Sequence, residues 1–304
     1  MAGEEQGGEE GGGEEREESK EVHEPAIDIF FAPQHQPSDL PIEILERQEL
    51  MERMPARHMR NLQRARFHQL LVCTSGTGTH HVDFVPYALS EGIVLHIRPG
   101  QVQRFEETPK LAAEMIIWPV EHDPKIGQGP VWYPGSGVPS AIQLDSMQLS
   151  QVTGWVADMR TEQDRFAESD RAGELLRAIL KVVLMKVDEF GGTAADPALP
   201  PAYLALREVL ERRLFSRSTV AELGAEIGYS ARTLDRACEA VSGQTAKQVV
   251  DERINLELRR LLADVSRPMA DVREAFGFID PSNFTKFVRR HLGRTPGDFR
   301  QDFA

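Results

Sequence analysis

Cysteine is almost absent: Cys73 and Cys238 are the only two in 304 residues. They stand alone, with neither a C-x-x-C pair nor a metal-ligand spacing, which argues against a disulfide framework or a zinc site and fits a reducing cytoplasm. Long apolar runs are missing too. None reaches the roughly 18 residues a bilayer-spanning helix needs, and no apolar stretch of a secretory signal follows Met1, so a soluble, cytoplasmic chain without a membrane partner is expected. Positive charge is scarce overall, with 35 Lys plus Arg against 48 Asp plus Glu and a net charge of -13. Taken as an average, that balance argues against a nucleic-acid partner.

The distribution of charge along the chain points the other way. Residues 1–24 hold ten Glu against Arg16 and Lys20 in a background of Gly. With almost no apolar side chains such a segment cannot offset the entropy of ordering, and a disordered acidic tail is expected, either solvated or occupying a basic surface as a DNA mimic. From residue 201 onward, seventeen Lys plus Arg stand against fifteen Asp plus Glu, so the C-terminal third is the least acidic part. At this length, with 40% hydrophobic residues, the chain can fill more than one core, and two domains with connecting segments are expected.

Between about residues 41 and 120 the β-type runs IEIL, FHQLLVCT, HHVDFV, IVLHI and EMIIWPV alternate with the turns SGTG, LSEG and RPGQ, a spacing that suits a small antiparallel sandwich or barrel. Within 148–190 the texture becomes helical, and Leu175, Leu176, Ile179, Leu180, Val183, Leu184 and Val187 mark one apolar face. That face is read both as packing on the β domain and as a dimer seam. The Gly- and Pro-rich stretch 191–202 reads as a linker.

After the linker the chain is helical in period and repeats itself. Ala221 aligns with Ala270, Gly228 with Gly277, Tyr229 with Phe278, Leu234 with Phe284, Gly243 with Gly293 and Thr245 with Thr295. Each copy reads as a short helix, a glycine-aromatic turn, and a second helix ending at a glycine, the layout of a helix-turn-helix. Joined by the helical stretch 246–265, two such units could place their second helices about 34 Å apart, one turn of B-DNA. Pro281 suits the start of a helix, where its missing N–H is harmless.

The stretch AFGFIDPSNFTKFVRRHLGRTPGDFR, with its Gly-Phe turn, Ser282, Phe284, Gly-x-Thr-Pro and closing Arg300, resembles the C-terminal signature of the AraC/XylS family of transcription regulators. The resemblance covers roughly residues 205–300, and FHQLLVCTSGTGTHHVDFVPYALSEGIVLHIRPGQVQRF resembles more diffusely that family's cupin-like effector domain. It implies an α+β multidomain chain: acidic tail 1–24, cupin-like β-barrel 25–147, helical dimerisation element 148–190, linker 191–202, and an all-α domain 203–304 with two helix-turn-helix units. The function implied is sequence-specific binding of double-stranded DNA, activity modulated by an unknown small-molecule effector, homodimerisation, and contact with RNA polymerase if the protein is an activator.

Carried over position by position, the first recognition helix offers Arg232, Thr233, Asp235 and Arg236, and the second Ser282, Asn283, Thr285 and Lys286. Arg suits guanine and Asn adenine, while Arg289, Arg290 and Arg294 follow as phosphate partners. Asp235 either accepts from a cytosine amine or pairs with Arg232 or Arg236. His68, His81, Tyr87, His96, Arg98 and Trp118 lie on or near predicted strands and are the candidates for an effector pocket. A cupin metal site is not expected, because adjacent His80 and His81 point to opposite faces of a strand and Gln103 stands where a later His ligand would fall. Cys73 reads as core, and Cys238 as either a packed residue or a redox sensor. No catalytic residues and no cofactor are expected. The rival reading is a cupin-type enzyme fused to a DNA-binding domain, for which no metal set or acid-base pair is apparent.

Overall fold

The structure, a computed structural model, describes residues 27–32, 40–54, 62–106, 110–124, 140–169, 171–191, 199–212 and 218–303. The acidic tail lies outside the described residues, as does most of the linker. An N-terminal β-sheet domain is followed by a C-terminal helical one. Strands β1 (Ile27–Ile29), β2 (Glu43–Glu46), β3 (Gln63–Ala65), β4 (His68–Ser75), β5 (Thr77–Val82), β6 (Val85–Ser90), β7 (Ile93–Ile97), β8 (Val102–Phe105), β9 (Ala112–Trp118) and β10 (Ala141–Gln143) form two sheets. Their orders are β1-β3-β8-β5-β6 and β10-β7-β4-β9-β2.

These are two stacked sheets; among the described residues no ladder closes them into the expected barrel. Strand β4 is a run of consecutive apolar residues because both of its faces are buried. Leu71 and Cys73 face the other sheet with Leu95 and Met115, whereas Leu70 and Val72 face outward into a second core. That outer core is filled by helices α2 (Ser146–Asp164) and α3 (Ala172–Phe190), following the short α1 (Arg47–Arg53). The edge strand β2 is covered as well: Gln163 of α2 accepts from Ile44 N–H at 2.6 Å and donates to its carbonyl at 3.0 Å. An edge satisfied by a side-chain amide has no need of another strand.

HHVDFV is not one strand. Asp83 and Phe84 take positive φ of 51° and 68° and make the tight turn between β5 and β6. The helical region 148–190 is two helices, and Leu175 departs from the buried face of α3, being 43% exposed while Leu176, Leu180, Val183 and Val187 are buried.

The C-terminal half comprises α4 (Pro201–Arg212), α5 (Val220–Ile227), α6 (Ala231–Ser242), α7 (Ala246–Ala263), α8 (Met269–Ala275), α9 (Pro281–Leu292) and α10 (Pro296–Arg300). It has two small cores. Leu206, Leu223, Leu234, Cys238 and Val249 fill one; Leu258, Val272, Phe276, Phe284 and Val288 fill the other. Helix α7 contributes its first half to one core and its second half to the other, with Ile254 packed against both.

Candidate nucleic-acid interface

Local chemistry fixes both helical pairs. Helix α5 starts at a capping box in which Thr219 accepts from Glu222 N–H, and ends at Gly228 in the left-handed region, φ 77°. Helix α6 then starts at Ser230, whose hydroxyl accepts from Thr233 N–H at 3.1 Å. In the second pair Gly277 makes the turn at φ 69° and Asp280 caps α9 by accepting from Asn283 N–H at 2.7 Å, with Pro281 in the first turn. Gly224 has a role that the repeat alone does not reveal: a Cβ there would come within 2.4 Å of the Tyr229 carbonyl, so only glycine lets α5 approach the turn so closely. Its place inside a helix is the signal in the sequence.

The amphipathic second helices turn one side inward, through Leu234 and Cys238 on α6 and Phe284 and Val288 on α9. Arg232, Thr233 and Arg236 on α6, and Ser282, Asn283, Lys286, Arg289 and Arg290 on α9, are exposed. None of these cations makes a salt bridge among the described residues. Between the pairs runs a groove of about 910 Å³, lined by Asp235 and Lys247 on one side and by Asn283, Lys286 and Arg290 on the other. Val250, Ile254 and Phe287 also line it, and the groove joins the N-terminal parts of α6 and α9 into one surface.

Three candidate residues have structural tasks. Asp235 pairs with neither Arg232 nor Arg236; its carboxylate accepts from Ala246 N–H at 2.9 Å and braces the start of α7. Thr285 donates its hydroxyl to the Pro281 carbonyl at 2.9 Å. Arg294, expected on phosphate, lies over the Phe299 ring and pairs with Asp302. The Cys238 thiol is buried and pushed up to about 11 by desolvation and the neighbouring Asp235 charge, which keeps it protonated and poorly reactive.

The six effector candidates separate. His68, His96, Arg98 and Trp118 cluster at one end of the sheet β10-β7-β4-β9-β2, on its helix-facing side: His68 stacks on Trp118 with ring centroids 5.0 Å apart, and His68 and His96 share a hydrogen bond of 3.2 Å. Burial, reinforced by Arg98, lowers His68 to about 3 and His96 well below the usual imidazole value. Tyr87 instead packs into the core between the sheets, and His81 faces outward onto Glu106 at 2.6 Å. His80 points the opposite way, buried against Phe105 and bonded to Gln103 at 3.0 Å.

A short helix, a left-handed glycine and a second helix with an exposed polar face make a helix-turn-helix, and residues 223–302 match the family model described as a helix-turn-helix domain. Curated relatives include the HTH-type transcriptional activator RhaS of Citrobacter koseri, 26% identical over 254 residues, and that of Klebsiella pneumoniae, 26% identical over 243 residues, each match covering 77% of this chain and 85% of the relative. Among solved structures, ToxT from Vibrio cholerae aligns with a TM-score of 0.44 at 10% identity, over 79% of this chain and 91% of that one. These matches support an AraC/XylS family regulator, the resemblance carried by the sequence.

Proposed function

We propose that the protein is a sequence-specific DNA-binding regulator in which α6 and α9 are recognition helices entering successive major-groove segments, as two helix-turn-helix units in one chain. The observation that carries this reading is the groove lined by Lys247 of α7 and by Asn283, Lys286 and Arg290 of α9, with Arg232 and Arg236 exposed on α6 and Arg289 on α9. Arg and Asn at a helix N-terminus have the donor geometry to read guanine and adenine edges, and the cations of the later turns suit phosphates. The effector site proposed is the buried cluster of His68, His96, Arg98 and Trp118, where polar groups meet an aromatic face. An exposed apolar stripe on α3, Leu175, Val182 and Met185, supports a homodimer. Relatives named as transcriptional activators support RNA polymerase as a further partner in the cytoplasm.

Selection of bound duplexes from a random pool by the full chain tests the reading, with the winners titrated against salt. The expected result is a two-part motif spaced by about one helical turn, and a log-log salt slope of several units. An unenriched pool overturns it.

A further inference from the structure

The β domain and the helical domain meet at a built contact that recognition of DNA does not require. The two-residue turn Asp83–Phe84 of the β5–β6 hairpin reaches α7. Arg260 holds the Asp83 carboxylate with both ends of its guanidinium, Nε to Oδ1 at 2.8 Å and Nη2 to Oδ2 at 2.6 Å. Gln101 Nε2 and Val102 N–H complete the carboxylate's partners at 2.7 and 3.2 Å. Glu257, one turn back on α7, accepts from Arg260 and Arg253 at 3.3 Å each and faces Arg64 of β3 at 3.8 Å. All five charged residues are at most 9% exposed. Phe84 carries the Arg259 guanidinium 4.4 Å over its ring and meets Phe303 edge-on, beside a small apolar cluster of Leu62, Val102 and Ala263.

Two features separate this contact from incidental packing. Asp83 and Phe84 are the positive-φ non-glycine residues of the described chain; a bulky aromatic there is strained, and such strain persists only where surroundings over-determine it. The contact also uses a different side of α7 from the groove: Lys247, Val250, Asp251 and Ile254 line the groove, whereas Glu257 and Arg260 meet the β domain. The β domain therefore grips an adjoining side of the helix that spaces α6 from α9, without lining the groove between them.

We infer that the Asp83–Phe84 turn and Arg260 form the coupling latch between the two halves, through which the state of the β domain and the occupancy of the recognition surface bias each other. This rests on the proposed roles of α6 and α9 and names how that site is regulated. DNA that fixes the spacing of α6 and α9 orders α7, and a better-ordered α7 holds the turn more tightly. Coupling of this kind is reciprocal, so a loosened turn in turn weakens DNA binding. Asp83, Phe84 and Arg260 are positioning residues, since they act on DNA only through α7.

The test is hydrogen exchange of a peptide spanning the β5–β6 turn in the full chain, with and without a selected duplex. In the wild type, DNA is expected to slow exchange there by about tenfold, a typical size for coupling between sites. In Asp83→Asn, which keeps a residue type tolerant of the left-handed region, and in Phe84→Gly, which relaxes the turn while deleting the ring, the duplex still binds and the slowing is lost. The same slowing in both variants as in the wild type, or none in the wild type despite bound DNA, overturns the latch. A wild-type chain that binds no duplex overturns the recognition-helix reading and the latch with it.

Discussion

Asp235 and Thr285 occupy equivalent places in the two copies of the repeat, and their different bonds follow from what lies ahead of each. The helix after α6 begins with Ala246, whose N–H needs an acceptor, and Asp235 supplies one at 2.9 Å. The helix after α9 begins with Pro296, which has no N–H, so Thr285 is left to bond within its own helix. Asp235→Ala is accordingly expected to lower stability by about 1 kcal/mol through an unmet N–H, measured as a fall in the denaturation midpoint. Arg236→Ala, on an exposed side chain, should leave that midpoint within about 0.5 kcal/mol, while weakening duplex binding and reducing the salt slope by about 1 if the contact is a phosphate. A stability loss in Arg236→Ala equal to that in Asp235→Ala would invert these roles. At this scale the positions of Pro281, Phe278 and Phe284 are legible in the sequence, because proline chemistry and apolar spacing are local. The bond from Asp235 to Ala246 is not, since its partner lies eleven residues on across a turn.

Helices and strands show where periodicity stops being informative. Three of the four helices in the two pairs can be read directly, because α5, α6 and α9 each start at a Thr, Ser or Asp cap and end at a left-handed glycine, whereas α8 starts after Pro268 and ends at Phe276, just before Gly277. HHVDFV cannot, because Asp and Phe in left-handed turn positions carry no glycine signal. Helix α3 lies between these cases. Its apolar residues look like one face but are two: Leu176, Leu180, Val183 and Val187 pack on the β domain, while Leu175, Val182 and Met185 stand 43%, 43% and 49% exposed. Nothing in a run of Leu and Val separates burial within the fold from burial against a partner. The proposed dimer seam predicts that Val182→Glu and Met185→Glu, exposed positions tolerant of charge, leave the fold's melting unchanged and halve the mass seen by light scattering at micromolar concentration. A wild type that already scatters as a monomer removes the seam.

Across the whole molecule, the burial that builds two cores in the β domain also traps three neutral imidazoles. His80 is lowered to about 4 by burial between the sheets, which outweighs the opposing Gln103 hydrogen bond. His68 is lowered to about 3, and His96 also falls well below the usual value, both by burial first and Arg98 second. Each stays unprotonated in the folded chain down to those values but takes up a proton near 6.5 once unfolded. The unfolded state therefore binds more protons below about pH 6.5, and stability rises with pH across that interval and is lost as pH falls through it. For His80 alone, a fall from 6.5 to about 4 corresponds to roughly 3 kcal/mol. The latch carboxylates act in a separate window. Burial, the largest single influence, would raise Asp83 and Glu257, but Arg260 together with Gln101 and Val102 at Asp83, and with Arg253 and Arg64 at Glu257, holds both below the usual carboxylate range, so their contribution is complete above about pH 4 and is lost only under it. Urea midpoints at pH 7.5, 6 and 5 should thus fall steadily with acid, and His80→Gln, which removes one trapped imidazole, should flatten the slope between pH 6 and 5. A flat midpoint over that range would mean that these rings are protonated in the folded chain, and that the cluster around Trp118 is open to water.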